Sequence, residues 1–340
     1  MQLASSIGFL HAYDSVRSLL IKHRVAIIMY HRIDLITNNP WETVPLTPQD
    51  FDREVRYLQQ RYRIVSLSEL GSALYDPGKP LPPNAVVITI DDGYKGIYIH
   101  AYPILKKYKV PATVFLATGN IDTGDPFWWD KVKFVIWKTK NKTLELGELG
   151  AYRLTSAYDR QIAANTIDNK LKRYSIEKRD EWIERLVGLS YVDIPEGLGN
   201  DLNLSWNEIK EMNKNGVSFG AHTVNHPILT RVSLDTAETE IIESKHSIER
   251  ELGQEVNTFC YPNGDPDDYN TDIEKILKNN GFTCAVTTSP PAFLPIRPSP
   301  YELPRISGEP RFSNFEFIIS GLHGDLGKIR GHFTMQNTTY

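Results

Sequence analysis

The sequence predicts an α/β protein in which helices cover a parallel β-sheet. Two observations predict this class. Short apolar runs rich in β-branched residues alternate with amphipathic helical patterns along most of the 340 residues. The helical patterns also carry capping residues at their starts and glycines at their ends. This alternation fits either a (β/α) barrel or an open, doubly wound sheet.

The elements are delimited by their flanking residues. Thr47 precedes Pro48, which is an N-cap followed by a proline at the first helical position, and Ser205 precedes Glu208 in a capping box. The predicted strands are Val25–Tyr30, Ile64–Leu67, Ala85–Ile90, Ala112–Ala117, Val217–Gly220, Thr258–Tyr261 and Cys284–Thr288. The predicted helices are Pro48–Tyr62, Ser68–Leu74, Gly93–Tyr108, Ser205–Asn215, Leu234–Leu252 and Thr271–Asn279.

One segment, from about residue 127 to 203, breaks the alternation. It contains a hairpin pattern, KTLELGELGAYRL, followed by two polar helical patterns. We interpret it as a helical insertion into one α/β domain that spans residues 25–320. Residues 1–24 are expected to form an N-terminal helical segment, and residues 321–340 a polar C-terminal tail.

The composition excludes several classes of protein. With a net charge of −4 and no run of lysine or arginine, the chain is not expected to bind a nucleic-acid polymer. Its two cysteines, Cys260 and Cys284, exclude a disulfide framework. A single bridge remains an alternative, but two buried thiols in a reducing compartment are the favoured interpretation.

The N-terminal region predicts no exported or membrane-spanning segment. His11, Asp14 and Arg17 interrupt its apolar residues, and the run VAIIMY is too short to cross a bilayer. A basic amphipathic helix over Ser15–Lys22 could touch a membrane surface, although packing on the domain is the favoured interpretation. We therefore expect a cytoplasmic protein, with peripheral contact to the inner face of the membrane as the alternative.

Two adjacent carboxylates end a strand that should be buried on both faces. Asp91 and Asp92 follow the run VVITI and precede Gly93, so they lie at the carboxyl end of a parallel strand, where ligands bind in such folds. Their mutual repulsion must be offset by a cation, hydrogen bonds or protonation. Since neighbouring residues leave a strand in different directions, one aspartate could bind a metal while the other faces a substrate. A solvated turn is the alternative interpretation.

A pair of histidines follows another strand. His222 and His226 are four residues apart, a spacing that suits joint binding of a metal ion. Together with one aspartate they would leave coordination positions open, as in a catalytic metal site. Zinc is the expected ion, with cobalt, nickel, manganese or iron as alternatives.

Three weaker signals complete the candidate site. The turn that begins at Tyr261 and includes Asn263 could aim a backbone N–H at a developing oxyanion. Arg305 could keep a catalytic carboxylate ionised. Trp129 could stack on a sugar ring or simply pack inside the insertion. Trp129 and Asn263 are the candidate substrate contacts.

The sequence resembles the polysaccharide deacetylases with a NodB homology domain, carbohydrate esterase family four. The first motif of that family, T-[FY]-D-D-G, is similar to residues 89–93, and the second, H-[ST]-x-x-H, matches residues 222–226. A third, F-x-Y-P-x-G, is similar to residues 259–264. Similar flanking segments extend the resemblance over about residues 25–120 and 203–310.

The resemblance implies a distorted (β/α) barrel of about seven parallel strands and metal-dependent hydrolysis of an acyl group, usually the acetyl group of an N-acetylhexosamine. It implies that Asp91 is the general base. It further implies that Asp92, His222 and His226 bind one divalent metal ion, and that the backbone N–H of Tyr261 stabilises the oxyanion.

The chain departs from the family pattern at several positions. Ile90 replaces an aromatic residue, and Phe259 stands where many members carry an arginine. Arg305 is therefore expected to steady the general base. The histidine that supplies the general acid has no clear counterpart, since His323 and His332 lack the matching context.

From these features we expect a hydrolase that removes an N-acetyl or other acyl group from an amino sugar or short glycan, free or linked to a nucleotide or lipid, during surface polysaccharide biosynthesis. Deformylation or cyclic-amide hydrolysis on the same fold is one alternative. A non-catalytic carbohydrate-binding protein with a degenerate site is another. The sequence does not predict the oligomeric state.

Overall fold

The computed structural model describes residues 25–37, 45–76, 78, 81–288, 294 and 298–321. The expected N-terminal segment 1–24, with its amphipathic helix, lies outside the described residues, and so do His323, His332 and the tail from residue 322 onward. Within the described part of the chain, no helix combines the length and apolar character needed to cross a membrane.

The core is a parallel β-sheet whose strand order follows the chain. The strands are β1 (Val25–Tyr30), β2 (Arg63–Ile64), β3 (Ala85–Ile90), β4 (Ala112–Leu116), β5 (Thr143–Glu145), β6 (Ala151–Arg153), β7 (Val217–Ala221), β8 (Thr258–Cys260), β9 (Cys284–Val286) and β10 (Ile306–Ser307). The order is β10-β1-β3-β4-β7-β8-β9, with β2 pairing on β3, while β5 and β6 form a separate antiparallel hairpin.

The end of the described chain curls this sheet towards a barrel. Leu303 forms a parallel bridge with Val286 of β9, and three residues later Ile306 pairs with Ile28 of β1. One segment therefore contacts both β1 and β9. A doubly wound sheet would place its first strand in the interior and grow outwards in two directions. The seven parallel strands confirm the predicted α/β barrel class and exclude the doubly wound alternative.

Helices cover the outside of the sheet. The helices of the described residues are α1 (Pro48–Arg61), α2 (Leu67–Tyr75), α3 (Tyr102–Tyr108), α4 (Trp128–Lys138), α5 (Ala157–Leu171), α6 (Ile176–Ser190), α7 (Leu198–Leu202), α8 (Trp206–Lys214), α9 (Leu234–Leu252), α10 (Thr271–Asn279) and α11 (Phe312–Ile319), of which α4 to α7 belong to the insertion and not to the cover of the sheet. Thr47 and Ser205 cap α1 and α8 as predicted. The predicted strand Ile64–Leu67 is too long, because Ser66 already caps α2 and Glu69 completes a capping box there.

The insertion contains α4, the β5–β6 hairpin, α5, α6 and α7. It has an apolar core of its own, which includes Trp128, Val135, Ile167 and Leu186. Its end is attached to the barrel beside the aspartate pair, because the Leu204 N–H donates to the Gly93 carbonyl at 2.9 Å. The predicted hairpin and two polar helices are present, whereas α4 was not foreseen. The predicted limits of the domain and its insertion stay a prediction.

Candidate active site

The two aspartates diverge at the end of β3. The Asp91 N–H still donates to the Tyr30 carbonyl at 2.9 Å, so this residue continues the sheet. Asp92 then adopts a φ of +74° and Gly93 a φ of +99°, which turns the chain sharply. A positive φ is unfavourable for a residue with a side chain and is a frequent mark of functional sites. Both aspartates are buried, but their carboxylates face different partners.

Asp91 is held by Arg305. The guanidinium donates two hydrogen bonds to the carboxylate, at 2.8 and 2.7 Å, in a bidentate arrangement. It also donates to the Thr287 carbonyl at 2.9 Å and to Thr89 Oγ1 at 3.1 Å. Arg305 itself is 3% exposed, so this is a buried ion pair with its remaining donors satisfied. The arginine is correctly placed to orient the carboxylate.

Asp92 faces His222 and His226. Asp92 Oδ1 lies 3.6 Å from His222 Nε2 and 3.7 Å from His226 Nε2, and the two Nε2 atoms are 3.1 Å apart. His222 Nδ1 lies 2.7 Å from the Cys260 carbonyl, which places the proton on Nδ1 and leaves Nε2 as a ligand. The three ligand atoms are therefore preorganised around one point.

These residues fit a small divalent metal ion. An ion about 2.1 Å from each ligand, in tetrahedral geometry, requires ligand atoms about 3.4 Å apart. The observed separations of 3.1, 3.6 and 3.7 Å bracket that value. Asp91, His222 and Cys260 form a second close group. That group fits a metal less well, because both carboxylate oxygens of Asp91 already accept hydrogen bonds from Arg305.

The electrostatics of the site favour a positive charge at its centre. Burial alone would raise the pKa of Asp91, but the charges of Arg305 and His31 more than offset it and hold this pKa below its usual value. Burial likewise opposes ionisation of Asp92, yet its contact with the His222 imidazole and the charge of His31 hold its pKa below the usual value. Burial and the charge of His222 lower the pKa of His226 to about 3. Asp92 is thus ionised beside a neutral His226, and, against the effect of burial, its contact with His222 raises the pKa of that imidazole; an ion bound at His222 Nε2 would take the place of the proton on that nitrogen.

The loop that carries the histidines is held by Glu240, a buried residue of α9. Its Oε2 accepts hydrogen bonds from the N–H groups of Val224 and Asn225, at 2.9 and 2.7 Å, and its Oε1 accepts from the Asn225 side chain at 2.7 Å. The loop needs this support because Thr223 and His226 both have a positive φ. Glu240 therefore acts through the loop on the position of His226.

A cavity of about 250 Å³ opens over the aspartates and histidines. His31, which directly follows β1, lines it and places Nε2 3.6 Å from Asp91 Oδ2. The His31 side chain is 46% exposed, whereas that of Arg305 is fully buried, so His31 contacts Asp91 from the cavity and Arg305 contacts it from the core. Asp91 is consequently accessible from the cavity but anchored from the core.

Both candidate substrate contacts line this cavity. Trp129 is largely buried, as the packing interpretation required, yet its ring lies 4.8 Å from that of His226 and its Nε1 donates to the Tyr94 hydroxyl at 2.7 Å. Asn263 adopts a φ of +60°, and its buried Nδ2 has no hydrogen-bond partner among the described residues. Asn263 therefore offers a donor to a bound ligand.

Tyr261 also lines the cavity, but its backbone N–H donates to the Val286 carbonyl at 3.3 Å. It would have to exchange this partner to serve an oxyanion, so its expected contribution stays a prediction. Phe259, at the position where an arginine is usual in the family pattern, is a fully buried core residue. Cys260 and Cys284 are buried free thiols, while the expected reducing compartment stays a prediction.

Sequence reasoning missed three features of the site. His31 follows β1 directly, so it could have been found by the argument used for Asp91, namely that ligands bind at the carboxyl ends of parallel strands. Glu240 lies within a long helix and has no local signal. The Cys260 thiol, 3.5 Å from Asp91 Oδ2 and 3.1 Å from the Arg305 guanidinium, had been treated only as a core residue.

Comparisons with known proteins agree with this geometry. The family model for polysaccharide deacetylase matches residues 78–285, which is more than half of the chain. YxkH of Bacillus subtilis is 22% identical over 270 residues, covering 79% of this chain and 66% of the relative. The poly-beta-1,6-N-acetyl-D-glucosamine N-deacetylase of Staphylococcus epidermidis is 28% identical over 185 residues, covering 52% of this chain and 60% of the relative. The chain thus spans less than two thirds of the length of these two relatives.

Two solved structures share the fold. The Streptococcus pyogenes deacetylase PplD, in complex with acetate, superposes with a TM-score of 0.60 at 23% identity, covering 88% of this chain and 99% of that one. IcaB from Ammonifex degensii gives a TM-score of 0.56 at 19% identity, with coverages of 88% and 97%.

Proposed function

The chain belongs to the polysaccharide deacetylase family, and from that premise we propose that it is a metal-dependent hydrolase that removes the acetyl group from an N-acetylated amino sugar of a surface glycan. The observation that carries the proposal is the separation of the two adjacent aspartates. Asp91 is bound to Arg305 and open to the cavity, whereas Asp92 faces His222 and His226. This arrangement supplies a base and a metal site side by side.

In the proposed reaction Asp92, His222 and His226 hold the ion. When bound there, a divalent metal supplies Lewis acidity that polarises the acyl carbonyl and makes water more acidic. Asp91 accepts a proton from the water that attacks the acyl carbon. Arg305 fixes the orientation of that carboxylate and keeps it ionised, which a base requires. The C–N bond then breaks, acetate is released, and the sugar amine must gain a proton.

We assign the delivery of that proton to His31. It is the histidine of the cavity that does not belong to the metal group, and it lies on the solvent side of Asp91. Its Nε2 lies 3.6 Å from Asp91 Oδ2, so both side chains can contact the same acetamide group of a substrate. This assignment fills the position for which neither His323 nor His332 offered a matching context.

The substrate class rests on the relatives. Those from Staphylococcus are named as poly-beta-1,6-N-acetyl-D-glucosamine N-deacetylases. We extend to this chain the broader class that they share, an N-acetylhexosamine within a surface glycan. Trp129 and Asn263 line the cavity where such a sugar would lie, and the buried amide of Asn263 would donate to a sugar hydroxyl or to the acyl oxygen.

The test of the proposal combines metal content with acetate release. The wild-type protein should bind one equivalent of zinc, or of cobalt, nickel or manganese, and release acetate from N-acetylglucosamine oligosaccharides. Asp91→Asn should keep the metal but lose at least about 100-fold in kcat, because the base is removed. Asp92→Asn should lose the metal itself. Full activity of Asp91→Asn would overturn the assignment of the base, and absence of both metal and acetate release would overturn the function.

His31 is tested through the leaving group. His31→Gln should lose about 100-fold in kcat on the acetamide, because the amine must be protonated as it leaves. An activated ester such as 4-nitrophenyl acetate needs no such proton, so its hydrolysis should fall far less. His100→Gln is the matched control, since His100 pairs with Asp34 at 3.2 Å and does not line the cavity. Equal losses on both substrates would contradict the assignment of His31.

A further inference from the structure

His226 lacks the hydrogen bond that normally orients a metal-binding histidine. Such histidines usually donate their second ring N–H to a carboxylate or a carbonyl, which fixes the ring. His222 follows this pattern, because its Nδ1 lies 2.7 Å from the Cys260 carbonyl. The Nδ1 of His226 is buried and has no hydrogen-bond partner among the described residues. The orientation of His226 must therefore come from its backbone and from packing on its ring.

The barrel holds most of the backbone of the loop that carries the two histidines. The Thr118 N–H donates to the Thr223 carbonyl at 3.1 Å. The Gly119 N–H donates to the Val224 carbonyl at 2.9 Å. Glu240 accepts from two N–H groups of the same loop, at 2.9 and 2.7 Å. These partners all belong to the barrel, and they fix the first part of the loop.

The insertion holds the peptide group that joins Asn225 to His226. Arg179, on α6, donates from its guanidinium to the Asn225 carbonyl at 3.0 Å. The N–H of the same peptide group belongs to His226 and donates to Thr223 Oγ1 at 3.0 Å. Because a peptide group is planar, these two contacts set the plane from which His226 projects. His226 has a φ of +54°, a strained conformation that persists only where its surroundings enforce it.

Arg179 is itself fixed in place. It is 5% exposed, its Nε donates to Asp180 Oδ1 at 2.9 Å, and its guanidinium lies 5.1 Å from the centre of the Trp128 ring. A charged donor forms a stronger hydrogen bond with a carbonyl than a neutral donor does. Arg179 also lines another cavity, of about 290 Å³, so a shorter side chain there would enlarge an existing space and would not open a hole in the core.

The insertion also contacts the ring of His226. The Trp129 ring lies 4.8 Å from that ring, at an interplanar angle of 61°. Trp129 Nε1 donates to the Tyr94 hydroxyl at 2.7 Å, and this hydroxyl donates to Asp130 Oδ2 at 3.0 Å. The imidazole whose Nδ1 has no partner therefore packs against an indole that is held by hydrogen bonds.

We propose that Arg179 is a positioning residue for the metal ligand His226, and that the insertion therefore takes part in building the metal site. The proposal rests on the proposed metal-dependent function and adds to it a residue from outside the barrel. Arg179 does not line the cavity over the aspartates, so it acts through the Asn225 carbonyl and not on a substrate.

The experiment makes two measurements on each protein. Zinc affinity is measured by titration against a competing chelator, and hydrogen exchange of the His226 amide is measured in the metal-free protein. The proteins are the wild type, Arg179→Met, Arg179→Lys and Arg185→Met. Methionine keeps an apolar contact with Trp128 but has no donor, whereas lysine keeps a donor. Arg185 is the matched control, because it lies on the same helix and its guanidinium is 4.8 Å from the centre of the Trp182 ring.

Arg179→Met should weaken zinc affinity about 10–100-fold, because a contact that orients a metal ligand is lost. Its His226 amide should exchange about tenfold faster than in the wild type, because the loop opens more readily. Arg179→Lys should recover part of both losses, and Arg185→Met should match the wild type. Wild-type zinc affinity or wild-type exchange in Arg179→Met would overturn the proposal, and so would equal losses in Arg185→Met.

The hydrogen exchange separates this inference from the proposed function. If the wild type binds no zinc but Arg179→Met still accelerates exchange at His226, the function fails and the positioning role stands. If the wild type binds zinc and releases acetate while Arg179→Met is unchanged in both measurements, the function stands and the positioning role fails.

Discussion

The buried ion pair between Arg305 and Asp91 allows the most quantitative prediction. The residues are 3% and 1% exposed, and two hydrogen bonds of 2.8 and 2.7 Å join them. Arg305→Met removes the guanidinium while filling much of its space with an apolar side chain. It therefore leaves the carboxylate of Asp91 buried without its strongest partner.

The structure sets the size and the pH dependence of the effect. Removing one member of a buried ion pair lowers the free energy of unfolding by about 3–5 kcal/mol. In the wild type the lowered pKa of Asp91 stabilises the fold above the pKa of the unfolded chain, and this contribution is lost as the pH falls. In Arg305→Met burial dominates and raises that pKa. The variant should therefore become less stable as the pH rises from acidic to neutral.

The assay is urea unfolding at pH 5 and pH 8, with a chelator present so that metal binding does not contribute. Arg305→Lys is the control, because it keeps the charge but loses the bidentate geometry, and its loss should be smaller. Asp91→Asn combined with Arg305→Met should be more stable than Arg305→Met alone, since it removes the isolated charge. In kinetic assays, the acidic limb of the plot of activity against pH should lie at a higher pH for Arg305→Met than for the wild type.

A loss below about 0.5 kcal/mol at pH 8 would refute this argument, because such a value is typical of an exposed substitution. An acidic limb at the wild-type position would refute the link between Arg305 and the ionisation of Asp91. The two measurements are independent, since unfolding reports the cost of burying the Asp91 charge and kinetics reports the ionisation of Asp91 as a base.

Three further predictions follow from contacts outside the catalytic group. Glu240→Gln should weaken zinc affinity about 10–100-fold in a chelator titration, because the histidine loop loses its carboxylate anchor, whereas Glu243→Gln on the exposed face of the same helix should not. Burial raises the pKa of Glu54 to about 8, so the free energy of unfolding should fall as the pH rises from about 4.5 to 8. Glu54→Gln should flatten this pH dependence in urea titrations, and an unchanged dependence would contradict the prediction. Gly220→Ala should lower the unfolding free energy by about 1–3 kcal/mol, since its Cβ would lie 2.5 Å from the Phe115 ring, and a wild-type melting temperature would contradict that.

Much of the fold could be predicted because its signals are local. The strand Ala85–Ile90 and the helix Leu234–Leu252 have the predicted limits, since β-branched runs and helix caps lie within the segments that they define. The short strand Ile306–Ser307 was not predicted, because two residues carry no periodicity. Only its pairing with Ile28 and Met29 of β1 makes it a strand, and that contact is distant along the chain. The helix Trp128–Lys138 was missed because its aromatic residues bury most of its surface and leave a weak polar face.

The candidate site likewise contains residues with a local sequence signal and residues without one. Asp91, Asp92, His222 and His226 stand in short motifs at strand ends, so their juxtaposition follows from parallel topology. The contact between Arg305 and Asp91 spans 214 residues, so no local signal predicts it; Arg305 was a weak candidate from the sequence, and the gap in the family pattern added to it. Lys133 and Lys172, which also line the cavity, had no sequence signal, because a lysine within a helical pattern is indistinguishable from a solvated one. The expected cytoplasmic location stays a prediction.

The insertion has an apolar core separate from that of the barrel, and this has a consequence for how such enzymes diversify. Residues Asp91, Arg305, Asp92 and both metal-facing histidines belong to the barrel, whereas Trp129 and the two lysines belong to the insertion. Substitutions in the insertion therefore change one wall of the cavity without replacing an aspartate or histidine of the site, although Trp129 and Arg179 still join the two parts through His226 and the Asn225 carbonyl. We expect variation within residues 127–203 to change which glycan this protein accepts more readily than it changes the reaction, because the aspartates and histidines lie outside that segment.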